Sequence, residues 1–131
     1  MADGDPWAEY ERLAGMDQAR LTLADRRLLA LGSLRDEVNN GGFHQYFFNS
    51  AGDLVTDALD AAQVADADEL ASLIRRTLSM LNMPDPSDRL ARQDALSKLE
   101  PEQFAGIDDS YYAVEASADL DSVMRAVMRQ A

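Results

Sequence analysis

The sequence contains no cysteine, which excludes disulfides, zinc–thiolate sites and thiol nucleophiles. Histidine, lysine and tryptophan each occur once. No apolar run approaches the ~18 to 20 residues needed to cross a bilayer. The opening residues, Met-Ala-Asp-Gly-Asp-Pro-Trp, lack the basic and apolar segments of a secretory signal. There is no Gly-x-Ser-x-Gly elbow, phosphate loop or dinucleotide fingerprint, and no interleaving of aromatic and basic residues for nucleic acid. Strand-like alternation of useful length is also missing. These absences point to a cytoplasmic protein that does not act at a membrane and is not an enzyme. They imply no cofactor.

What is present is acid and helical periodicity. Twenty-four Asp and Glu stand against 12 Lys and Arg in 131 residues, a formal charge of −12. Such a field repels nucleic acid and anionic membranes and steers basic surfaces inward. It also keeps a small protein soluble, and composition alone does not choose between these roles. The charge is segregated along the chain. No Lys or Arg lies between Asp36 and Ile74, or between Leu99 and Met124, whereas basic residues cluster from Arg12 to Arg35 and from Arg75 to Lys98.

A 47% apolar content is that of a globular chain, and this length suits one domain, residues 1–131. Residues 1–15 are expected to form a partly mobile N-terminal helix, held by Trp7 and Tyr10. Leu21, Leu28, Leu31, Leu34 and Val38 make one helical stripe, with Thr22 and Asp25 as a capping signal at its start. Asn39-Asn40-Gly41-Gly42 interrupts it, since both residue types tolerate positive φ. Phe43 to Asn49 reads as a short aromatic helix. Asp53 to Ala65 reads as a third helix with Asp53, Asp57 and Asp60 on one edge. Leu70, Leu73, Ile74, Leu78 and Leu81 mark a fourth. Ser87 is placed as the cap of a helix carrying Leu90, Leu96 and Leu99. Pro101 opens a short helix through Phe104, and Leu120, Val123, Met124, Val127 and Met128 mark the last. The expected fold is an all-α, single-domain bundle of six to eight helices.

Candidate chemistry is sparse. His44 is the natural acid–base residue, yet no ligand or base stands at helical spacing from it. A surface or hydrogen-bonded structural role is favoured. Asp66-Ala67-Asp68-Glu69 resembles a scrap of a calcium loop without its glycine and closing glutamate. It reads better as a helix N-terminus, and no metal site is assigned. Asp108-Asp109-Ser110-Tyr111-Tyr112 reads as a solvated turn with its tyrosines packed inward.

The densest segment is Glu37 to Asp53, with three asparagines, one glutamine and four aromatics. Two readings apply. In the favoured one it is a bend: Asn39, Asn40, Gly41 and Gly42 turn the chain, Phe43 and Phe47 enter the core, and the amides of Asn40, Gln45 and Asn49 bond to backbone. In the other it is a ligand pocket around His44 and Gln45, serving a small-molecule sensor or enzyme.

The same segment resembles a bacterial family of unknown function whose members include an acidic DNA-mimic protein. Asn40, Gly41, Gly42, Phe43, Gln45, Tyr46, Phe47, Asn49, Gly52 and Asp53 match its Asn-Gly-Gly-Phe-x-Gln-aromatic-aromatic-x-Asn motif and the Gly-Asp that follows. Asp108 to Tyr112 and Asp119-Leu120-Asp121 resemble its closing pattern. The resemblance implies an all-α fold and a non-catalytic role in which carboxylates stand in for DNA phosphates. The expected partner is a basic protein, such as a transcription regulator, met by Asp53, Asp57, Asp60, Asp66, Asp68 and Glu69. Direct nucleic-acid binding is not expected. Acidic inhibition of a basic toxin and pairing as a homodimer stay open beside it.

Overall fold

A computed structural model describes residues 4–117 and 119–130. Among these the chain forms seven α-helices and no strand. They are α1 (Pro6–Ala14), α2 (Leu23–Phe48), α3 (Val55–Val64), α4 (Asp68–Leu81), α5 (Arg89–Leu96), α6 (Ala105–Ala116) and α7 (Asp119–Arg129). Short 3₁₀ turns span Gln18–Arg20, Ser50–Leu54 and Pro101–Phe104. No helix is long and apolar enough to cross a membrane among the described residues.

The helix starts follow local chemistry. Asp5 accepts the Trp7 amide at 3.0 Å ahead of Pro6. Thr22 and Asp25 exchange side-chain and backbone bonds at 3.1 and 3.2 Å, closing a capping box on α2. α5 corrects the expected cap: Asp88, not Ser87, accepts the Ala91 amide at 3.1 Å, while Ser87 bonds back to Asp85. Asp108 to Tyr112 also differ from expectation, since they lie inside α6 rather than in a turn. Local hydrophilicity hid that helix, whose stripe is carried by Ile107 and Tyr111.

α2 is the central helix, against which α1, α3, α5, α6 and α7 pack, while α4 closes on α3, α5 and α6. Its stripe of Leu28, Leu31, Leu34 and Val38 is buried as the periodicity predicts. α1 docks through Tyr10, whose ring lies where a side chain at Gly32 would stand, and whose hydroxyl donates to Asp36 at 2.8 Å. Arg35 lies 4.8 Å over the Trp7 ring, a cation–π contact on the same docking surface. Phe43, Tyr46, Phe47, Phe104 and Tyr111 form an aromatic centre that is fully or almost fully buried. Phe43 stacks on Phe47 at 6.1 Å and meets Tyr111 edge-on at 5.9 Å.

Candidate functional site

α2 is broken within the dense motif. Gly41 and Gly42 leave helical geometry, and Gly42 has φ +79° and ψ −178°, a region essentially restricted to glycine. The helix restarts at Phe43, whose freed amide donates to Asp108 Oδ1 at 2.8 Å. Asp108 thus caps an internal helix start from another helix. Its burial raises its pKa, against the pull of the Phe43 amide.

The motif's amides take carboxylates rather than the expected backbone groups. Gln45 and Asn49 both donate to Glu37 Oε1, at 2.8 and 3.2 Å, and Asn39 spans to Glu115 at 3.0 and 3.1 Å. Asn40 is exposed. The reason is the kink: it carries Gln45 and Asn49 back toward Glu37, so a charged acceptor is within reach and forms the stronger bond. Phe43 and Phe47 are buried as expected. His44 packs edge-on to Phe104 at 5.9 Å. Neither His44 nor Gln45 lines the clefts described in this molecule, and no cluster of three metal-ligating side chains occurs among the described residues.

The motif ends in a device that sequence reading missed. Arg92 is 0% exposed. Its Nε donates to Phe47 O at 2.7 Å, its Nη2 to Asn49 O at 2.8 Å and its Nη1 to Pro86 O at 2.8 Å. Gln93 adds a bond to Phe48 O at 2.8 Å. Together they satisfy the carbonyls left open where α2 stops. Asp53 Oδ1 neutralises Arg92 at 3.0 Å, and Asp53 Oδ2 holds Arg89 at 2.6 Å.

Asp53 therefore has an internal role. It lies in the 3₁₀ turn before α3, not in a helix running from 53, and its carboxylate faces α5. Burial opposes its ionisation, but hydrogen bonds and charge from Arg89 and Arg92 lower its pKa overall. Asp57 lies 3.7 Å from Arg26. By contrast Asp60, Asp66, Asp68 and Glu69 enter none of the ion pairs among the described residues. Asp66, Asp68 and Glu69 are exposed, and Asp60 is half-buried. Asp66 takes φ 57° at the α3–α4 corner, and Asp68 and Glu69 occupy the first turn of α4. The acidic edge thus divides into carboxylates used by the fold and carboxylates free for contact.

Comparison with known proteins gives one match: a family model described as DMP19-like protein covers residues 19–130. No curated protein and no solved structure matches the chain.

Proposed function

The chain belongs to the DMP19-like protein family, and from that premise we propose that it is a non-catalytic acidic binding protein that captures a basic, DNA-binding protein. The observation that carries this reading is the set Asp60, Asp66, Asp68 and Glu69, carboxylates left outside the ion pairs of the fold. Duplex DNA presents one charge per ~1.7 Å of axis. Carboxylates on neighbouring helical turns stand about 6 Å apart, a sparser array that a phosphate-reading surface still meets favourably. A net charge of −12 turns the same surface away from nucleic acid itself. A transcription regulator is the favoured class of partner, and the protein works in the cytoplasm.

The test is capture of basic partners from a native bacterial cytoplasm at low and moderate salt. Binding should weaken as salt shortens the Debye length to about 8 Å. It should fall further when Asp60, Asp66 and Asp68 become Asn and Glu69 becomes Gln. A basic partner held equally well by this variant at every salt concentration would show that the site is elsewhere. Asp53 is excluded from the variant because its loss would perturb the fold.

A further inference from the structure

Asn40 carries the one amide side chain of the motif that the fold leaves unused. Asn39, Gln45 and Asn49 are taken up by carboxylates. Asn40 is exposed and enters no side-chain hydrogen bond among the described residues. The residue that follows it, Gly41, is also exposed and has already left helical geometry at φ −159°. Tethers stand on both sides of this pair. Tyr112 donates to Val38 O at 2.8 Å and Asn39 is held by Glu115, while Phe43 is held by Asp108. Between them the Asn40 backbone is kept in place only by the last turn before a break, and such a turn opens at low cost.

Asparagine is chemically labile, and its lability depends on the next residue. The backbone nitrogen of that residue attacks the side-chain carbonyl, and only glycine brings no Cβ into the path. The chain has four asparagines, Asn39, Asn40, Asn49 and Asn82. Asn40 alone precedes glycine; the others precede Asn40, Ser50 and Met83. We propose that Asn40 is a site of spontaneous deamidation in the folded protein. The Gly41 nitrogen loses its proton and bonds to Cγ of Asn40. The Cγ–Nδ2 bond breaks, and ammonia leaves with the proton. Solvent water then opens the five-membered imide. Opening at Cγ gives aspartate. Opening at the α-carbonyl gives isoaspartate, which puts an extra methylene into the backbone just ahead of the Gly42 kink. Either product adds one negative charge to the formal −12, on an open surface shared with Asp36, Glu37 and Glu115.

The full chain is incubated at physiological temperature, near neutral and at mildly alkaline pH, both folded and unfolded in guanidinium chloride. Conversion is read as a mass gain of about one dalton, NH2 exchanged for OH, and is placed on the chain by fragmentation. In the folded chain Asn40 should convert at least about tenfold faster than Asn39, Asn49 or Asn82, a barrier difference of about 1.4 kcal/mol. Its rate should lie within about tenfold of that in the unfolded chain, as low-cost local opening requires. It should rise with pH, since the attacking nitrogen must be deprotonated. Gly41→Ala should bring the rate at position 40 down to that of Asn82. The new Cβ would meet the Gln45 amide, so the wild-type comparisons decide the matter if this variant does not fold. Slowing of Asn40 by more than about tenfold on folding would overturn the proposal. So would conversion of Asn82 as fast as that of Asn40, or a folded Gly41→Ala chain that converts like wild type.

Discussion

Arg92 and Gly52 are fitted to one another: a Cβ at position 52 would stand 2.9 Å from both Nε and Nη2 of the guanidinium and 2.7 Å from the Tyr46 carbonyl. Only a residue without a side chain lets the clamp close on the end of α2. Gly52→Ala should therefore cost about 1 to 3 kcal/mol through overpacking. Arg92→Ala should cost more, roughly 3 to 5 kcal/mol, because it strands the carbonyls and unpairs Asp53. Arg92→Lys should recover little, since one ammonium does not reproduce a planar fork. Urea denaturation of the three variants checks the order.

The Gly42–Asp108 contact makes a second test. A Cβ on Gly42 would collide with the Asp108 carboxylate and would also force a side chain into φ +79°. Gly42→Ala should cost at least about 1 to 3 kcal/mol from backbone strain alone. Asp108→Ala removes the cap of Phe43 and should cost about 1 kcal/mol. Asp108→Asn keeps an oxygen acceptor for the Phe43 amide and should be close to neutral. The pH dependence separates them. The folded pKa of Asp108 is raised, so the native state holds this proton more tightly than the unfolded chain. Wild type should lose stability relative to Asp108→Asn as pH rises through the window above 3.8, the ordinary value.

Asp53 should behave in the opposite sense. Its folded pKa lies below the ordinary 3.8, so its stabilisation is fully present above that value. It is lost as pH falls through the folded pKa. Asp53→Asn should destabilise by about 1.5 to 3 kcal/mol near neutral pH, the range for hydrogen bonds to charged groups. The difference from wild type should shrink in strong acid. Thermal melts from pH 7 downward measure both.

The contrast between Leu90 and Arg92 explains what could be read from the sequence and what could not. The helical stripes, the Thr22–Asp25 box, the glycine break and the burial of Phe43 and Phe47 all follow from interactions within a few residues, and they were legible. In α5 the usual pattern is inverted. Leu90, one of the apolar residues that mark this helix in the sequence, is 78% exposed, while Arg92 is fully buried. Arg92's acceptor Phe47 O lies 45 residues away, and the Phe43–Asp108 bond spans 65. Periodicity holds no information on such pairs. The one available signal was the Gly52-Asp53 step, a small residue beside an acid just past a helix end. The division of the acidic edge was hidden for the same reason: Asp53 and Asp60 look alike until α5 folds onto one of them.

That division predicts three grades of stability effect among the acids. Neutralising Asp60 should leave the melting temperature unchanged or raise it slightly, because it relieves self-repulsion in a chain of charge −12. Asp68 and Glu69 sit in the first turn of α4, which has no side-chain cap. There each carboxylate interacts with the helix dipole by about 0.3 to 1 kcal/mol at low salt. Asp68→Asn and Glu69→Gln should therefore lower stability by a few tenths of a kcal/mol, a loss that fades as salt screens the dipole. Asp53→Asn should stay costly at every salt concentration, since Arg92 is withdrawn from solvent and weakly screened. Melts of the single variants at low and high salt measure these differences. If Asp60→Asn proves as destabilising as Asp53→Asn, the carboxylate at 60 belongs to the fold, and the contact surface contracts to Asp66, Asp68 and Glu69.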